Sequence, residues 1–166
     1  ILQYTPDTRQ TSLFSATMPK QIKNITTKYL RNPKDLMIGE VTSKDRLINQ
    51  KYWIVQNINK LDGLTRILEV ENFDAVLLFV RTKASATELA RQLSDRGYAS
   101  EALHGDMVQK DREKTVKKIR NKEIDLLVAT DVAARGLDID RITHVVNYDL
   151  PFDSESYVHR IGRTGR

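Results

Sequence analysis

Short apolar runs alternate with longer amphipathic stretches through most of this chain, and that alternation restricts the fold more than any other feature of the sequence. A chain patterned this way buries its apolar surface best as a parallel β-sheet with helices on both faces. The run from Ala75 to Val80 reads as a strand buried on both sides. Thr82 then caps a helix over 84–96, whose Ala86, Leu89, Ala90 and Leu93 share one face, and Gly97 ends it. The pattern continues with a strand at 100–103, a helix at 110–120, and strands at 125–129 and 144–147. Each strand-plus-helix unit takes about 25 residues, enough for a parallel crossover. The expectation is an α/β fold.

The opening of the chain is different. A strand is expected at 11–14, then a helix beginning near Pro19 and striped by Ile22, Ile25, Tyr29 and Leu30, with Asn32-Pro33 as its stop. A brief strand at 35–38 leads into the polar stretch GEVTSKDRLIN at 39–49, which reads as a linker between folding units. A unit of about 40 residues is too small to own a core, so residues 1–38 are expected to be the tail of another domain.

Composition removes several kinds of chemistry. There is no cysteine, which excludes disulfides, thiolate metal sites and thiol catalysis together. His104, His144 and His159 are too scattered for metal-ligand spacing, so no metal site is expected. No apolar run approaches the length of a membrane helix. The opening ILQYTPDTRQ has neither a signal nor a transit pattern, and the expected location is the cytoplasm. The net charge of +5 favours polyanionic partners or simply keeps the chain dissolved.

Four segments could carry chemistry. HRIGRTGR at 159–166 spaces Arg160, Arg163 and Arg166 three apart, so a helical turn brings them roughly to one side. Guanidiniums gathered this way suit carboxylates or phosphates, although a solvated basic end would have the same spacing. ATDVAARGLDID at 129–140 follows a strand directly, where open α/β sheets bind ligands, and carries Thr130, Asp131, Arg135, Gly136 and Asp138. A capped turn would use similar residues. LHGDMVQKDRE at 103–113 feeds a helix rich in Lys and Arg, of which Gln109 and Arg112 lie in the first turn, while Lys114, Lys117, Lys118 and Arg120 fit a solvated face. SAT at 15–17 offers two hydroxyls, which an ordinary helix cap would also use. The chain contains no G-x-x-x-x-G-K-[ST] phosphate loop, so a complete P-loop ATPase is excluded.

Taken in order, SAT, LLFVRT at 77–82, LHGDMVQKDRE, ATDVAARGLDID, VVNYDLP at 145–151 and YVHRIGRTGR resemble the successive motifs of DEAD-box ATP-dependent RNA helicases. The forms SATMP and HRIGRTGR are closer to the bacterial DeaD/CsdA-type members than to DNA helicases of the same superfamily. The resemblance implies a RecA-like three-layer sandwich around a mostly parallel sheet. It also implies that residues 50–166 are the second RecA-like lobe, that 1–38 are the tail of the first, and that 39–49 link the two.

In that family two lobes close on ATP and single-stranded RNA. The resemblance makes Arg163 and Arg166 arginine fingers reaching the γ-phosphate. It gives His159 a link between that phosphate and SAT, Arg160 the bracing of acidic residues on the nucleotide side, Asp138 the ribose, and Gly136 a close approach. Arg81, Thr82, Gly105, Gln109, Arg112 and Thr130 match positions that contact the RNA backbone. Ser15, Thr17, Asp131 and Arg135 match positions that couple the lobes. ATP and Mg2+ would be held mainly by an N-terminal RecA-like lobe not present here, so the chain alone would be inactive and monomeric. Its partners would be single-stranded and duplex RNA together with that lobe.

Overall fold

The computed structural model describes residues 4–15, 17–37, 48–56 and 59–165. The chain divides into two compact units, residues 1–40 and 41–166.

The first unit contains helix α1 (Lys20–Tyr29), with Pro19 at its N-cap. No residue of α1 is buried, and the apolar stripe stays open to solvent, with Ile25 and Tyr29 both exposed. Residues 11–14 form no strand, contrary to the sequence pattern, and Phe14 is 93% exposed. Residues 35–37 are likewise irregular, and Ile38 lies outside the described residues. An apolar run becomes a strand only where a neighbour completes its ladder, and among the described residues every paired strand belongs to the second unit. The unit is fastened by Arg31, which donates to the Asp7 carbonyl at 2.7 Å and to its carboxylate at 2.9 Å.

The second unit runs α2 (Lys60–Val70), β1 (Ala75–Phe79), α3 (Lys83–Asp95), β2 (Ser100–Leu103), α4 (Gln109–Arg120), β3 (Leu126–Ala129), α5 (Asp131–Ala134), β4 (Ile142–Asn147) and α6 (Ser154–Ile161). The four strands form one all-parallel sheet in the order β2-β3-β1-β4. Every residue of β1 and β3 is buried, which is why these strands are continuously apolar rather than alternating.

Successive side chains along β1 feed two cores. Ala75, Leu77 and Phe79 join Ile119 of α4 and Ala133 and Ala134 of α5 on one face. Val76, Leu78 and Val80 join Leu61, Leu64 and Leu68 of α2 and Leu89, Ala90 and Leu93 of α3 on the other. The result is a helix–sheet–helix sandwich, the RecA-like arrangement that the resemblance implied.

Local chemistry sets the element ends. The Thr82 hydroxyl accepts the Ser85 N–H at 3.0 Å and starts α3. Gly97, at φ +88°, lets the chain reverse so that the Tyr98 N–H reaches the Leu93 carbonyl at 3.1 Å. At the N-terminal edge of the sheet Arg141 joins three segments. It donates to the carbonyls of Ile119 and Ile124 and to the carboxylates of Asp74 and Asp125.

The connection after β1 crosses to the face of α2 and α3, whereas that after β3 turns into α5 on the opposite face. Adjacent strands whose following connections diverge this way leave a crevice at their carboxyl ends. The site is built there.

Candidate nucleotide and RNA site

The crevice is organised around Arg160. Its side chain is only 3% exposed, and its charge is matched by the Asp131 carboxylate at the start of α5. Nε donates to Oδ1 at 2.6 Å and Nη2 to Oδ2 at 2.7 Å, a bidentate fork. Nη1 donates to the Asn147 side chain at 2.9 Å and to the Asp149 carbonyl at 2.6 Å. The guanidinium also stacks over the Phe79 ring, 4.9 Å from its centroid. Asp153 caps α6 by accepting the Ser156 N–H at 2.7 Å, which fixes the helix that carries Arg160. The donors of Arg160 are therefore engaged within the protein, and the residue shapes the site by holding α5, β4 and α6 together.

Around this pair lies a cleft of about 50 Å³, lined by Phe79, Asp131, Ala134, Arg135, Ser156, His159, Arg160 and Arg163. His159 is exposed. Arg163 is half-buried, and among the described residues its guanidinium hydrogen-bonds to backbone, with Nη1 donating to the Leu137 carbonyl at 3.0 Å and Nε to the His159 carbonyl at 3.3 Å. Both acceptors are neutral. The three-residue arginine spacing thus separates roles, because Arg160 turns inward to a carboxylate while Arg163 stays at the mouth. Arg166 lies outside the described residues.

Arg135 is exposed on the cleft wall. Gly136 follows at φ +72°, a conformation that favours glycine, and no atom lies within 4 Å of where a Cβ would sit. Its backbone is open to close approach. Asp138 lies in the same loop, exposed, and its carbonyl accepts from Arg120 at 2.9 Å.

The other expected contacts also lie at the carboxyl ends of strands. After β1, Arg81 is exposed and its guanidinium stacks on Phe152 at 4.6 Å. Its N–H donates to the Asp149 carboxylate at 3.0 Å. Burial pushes the Asp149 carboxyl up, but the Lys60 ammonium at 2.8 Å and this N–H outweigh burial and hold it below the usual carboxylate range. Thr82 caps α3 and Gly105 lies in the exposed turn after β2. Thr130 is buried after β3, its N–H donating to the Leu103 carbonyl at 3.3 Å.

In the first turn of α4 the exposed Gln109 donates to Glu113 at 2.8 Å, and Arg112 donates to the Ala133 carbonyl at 2.6 Å. In the first unit, the Ser15 hydroxyl donates to the Thr17 carbonyl at 2.5 Å.

Sequence reasoning missed Asn147, Asp149 and Phe79, which complete the setting of Arg160, and Lys83 and Asp106, which form an ion pair. Asn147 and Asp149 lie inside the VVNYDLP segment, so their position was available. Their partner was not, because it comes from a helix a dozen residues later.

Residues 59–166 match the model of the helicase conserved C-terminal domain. The chain belongs to that family. ATP-dependent RNA helicase DeaD of Mycobacterium tuberculosis is 52% identical over 165 residues, and the match covers 99% of this chain and 29% of the relative. The protein of the same name from Escherichia coli is 51% identical over 98% of this chain and 26% of its own length. The chain thus spans under a third of either relative. Among solved structures, Saccharomyces cerevisiae Dbp5 bound to RNA and ADP BeF3 aligns with a TM-score of 0.88 at 32% identity, over 99% of this chain and 44% of that one. A DEAD box protein from Methanococcus jannaschii aligns at 0.69 and 40% identity, over 92% and 41%.

Among the described residues no helix is long and apolar enough to cross a membrane, and no group of His, Cys, Asp or Glu side chains gathers to hold a metal.

Proposed function

We propose that this chain is the second RecA-like lobe of a DEAD-box ATP-dependent RNA helicase, with the tail of the first lobe in 1–38 and the linker in 39–49. The observation that carries the reading is the pairing of the buried Arg160 with the part-exposed Asp131. It fixes α6 over the switch-point crevice, with His159 and Arg163 lining a cleft of about 50 Å³. Pockets that enclose a ligand of drug size hold roughly 300–1,000 Å³. A nucleoside triphosphate therefore needs a second surface to close over this cleft, which is what a first lobe supplies.

The donor set fits the phosphate end of a nucleotide, since Arg135, His159 and Arg163 are cationic or protonatable and border the same cleft. In this reading Arg163, with Arg166, stabilises charge that develops on the γ-phosphoryl group during transfer to water. Arg160 and Asp131 keep those groups in place, Asp138 receives the ribose, and Gly136 gives it room. ATP with Mg2+ is held mainly by the first lobe, where the ion neutralises phosphate charge, and this chain alone hydrolyses nothing.

On the RNA side Arg81, Thr82, Gly105, Gln109, Arg112 and Thr130 meet the sugar–phosphate backbone, which accounts for weak sequence preference. Ser15, Thr17, Asp131 and Arg135 couple the lobes. ATP and single-stranded RNA together draw the lobes closed, one strand of a duplex is bent away from its partner, and hydrolysis reopens the cleft. The protein acts in the cytoplasm, and this chain by itself is a monomer.

A strand-release assay tests the activity. This chain joined to a DEAD-box first lobe should separate short RNA duplexes only when ATP is present, and DNA duplexes much less. Equal release of both, or release without ATP, would overturn the assignment.

A further inference from the structure

We propose that Lys83 is an additional phosphate contact on the RNA track, and that Asp106 is a built-in competitor that holds this lysine until RNA displaces it. The inference rests on the RNA track proposed above, and adds to it two residues and a reason for their pairing.

Lys83 is the first residue of α3, directly after Thr82, and Asp106 directly follows Gly105. Two turns assigned to RNA are therefore joined by an ion pair between the Lys83 ammonium and the Asp106 carboxylate. The lysine stem lies over Gly105, with its Cε 3.8 Å from where a Cβ would sit there. A second tie lies one helical turn along. The Thr87 hydroxyl donates to the Lys83 carbonyl at 3.3 Å and stands 3.1 Å from His104 Nε2. A hydroxyl has one proton, so with that proton on the Lys83 carbonyl, His104 Nε2–H is the donor of the other bond. Lys83 and Thr87 are four apart on α3 and grip the 104–106 turn together.

The grip fixes where Asp106 stands, yet both charged groups remain open, with side chains 54% and 66% exposed. An exposed carboxylate in the middle of a polyanion track repels phosphate unless something neutralises it. The lysine does so, and the carboxylate in turn occupies the lysine as a phosphate oxygen would. A surface ion pair is weak enough to be exchanged for a phosphate contact, and α3 presents its positive end at the same place. RNA engagement thus swaps Lys83 from Asp106 to the backbone, and release returns it.

The test is a fluorescence-anisotropy titration of this chain with labelled oligouridylate at several salt concentrations. Asp106→Asn should tighten binding about two- to five-fold, the range a surface ion pair supports. Lys83→Gln should weaken binding and flatten the log K against log salt line by roughly 0.7, the value for one phosphate contact on a single strand. Lys83→Arg should retain binding. The decisive arm combines the changes, because Asp106→Asn should tighten binding clearly less once Lys83 is Gln, when no lysine remains to be released and only repulsion by the carboxylate is relieved. Equal tightening in both backgrounds would mean that Asp106 acts by general repulsion and would overturn the exchange, as would a silent Lys83→Gln. Arg81→Ala separates the two readings. If it weakens binding while Lys83→Gln does not, only this inference fails, whereas no RNA binding by the wild type removes the RNA track as well.

Discussion

Removing the carboxylate of Asp131 tests the organisation of the site most sharply, because the two partners of the Arg160–Asp131 pair are buried unequally. Arg160 is 3% exposed and Asp131 is 40% exposed. Asp131→Ala abolishes two charge-assisted hydrogen bonds and leaves a guanidinium in the crevice with the Asn147 side chain, the Asp149 carbonyl and the Phe79 face. Breaking a buried pair costs about 3–5 kcal/mol, chiefly for the orphaned charge. Two acceptors survive here and water can enter on the Asp131 side, which places the loss at about 3 kcal/mol.

Arg160→Met is the opposite case. The orphan is then a carboxylate that water can reach, and the methionine stem still packs on Phe79, so the loss should be about 1–2 kcal/mol. Urea unfolding followed by far-ultraviolet circular dichroism reads both, and with a slope near 2 kcal/mol/M the Asp131→Ala midpoint should fall by roughly 1.5 M. If Arg160→Met is the more damaging change, or Asp131→Ala costs under about 1 kcal/mol, burial of the arginine charge is not what organises this crevice.

Three further outcomes follow from the geometry. In the chain joined to a first lobe, Arg163→Ala should lower ATP turnover by about 10³–10⁵-fold. Its stability should fall by only about 1 kcal/mol, for the lost bonds to the Leu137 and His159 carbonyls, far less than the turnover effect; near-normal turnover would remove the finger role. Arg112→Ala should flatten the salt dependence of RNA binding by roughly 0.7. It should also cost about 1 kcal/mol of stability through the lost bond to the Ala133 carbonyl; an unchanged salt slope would make the residue purely structural. The Asp149 carboxyl is held below its ordinary value, so its contribution is complete above about pH 4 and is lost as the pH falls through the native value. The stability gap between wild type and Asp149→Asn should therefore be full at neutral pH and shrink on acidification, and a gap constant down to about pH 2 would contradict the Lys60 and Arg81 contacts.

The strands and their crossovers were legible because burial on both faces writes itself as an unbroken apolar run, as in Ala75 to Val80. Helix α3 was legible because Thr82 and Gly97 mark its ends and Leu89 and Leu93 its face. Helix α2 carries an equally clear set in Leu61, Leu64 and Leu68, and its signal was there to be read. The segment 11–14 misled because propensity proposes a strand, but only a partner strand completes its hydrogen bonds.

At the site, the motifs pointed to turns that the structure places at the carboxyl ends of the strands, but not to the contacts made within them. Arginine spacing cannot reveal that Arg160 is enclosed by Asp131, Asn147 and Phe79 while Arg163 donates to the Leu137 and His159 carbonyls, because the partners of Arg160 come from three other segments. The pairing of Lys83 with Asp106 is hidden for the same reason, being a contact between two strand-end turns.

The measurement that bears most directly on the central claim is ATP hydrolysis with and without single-stranded RNA, by this chain alone and joined to a DEAD-box first lobe. The account predicts turnover only in the joined protein and stimulation of that turnover by RNA. Hydrolysis by the chain alone, or none by a well-folded joined protein, would contradict it.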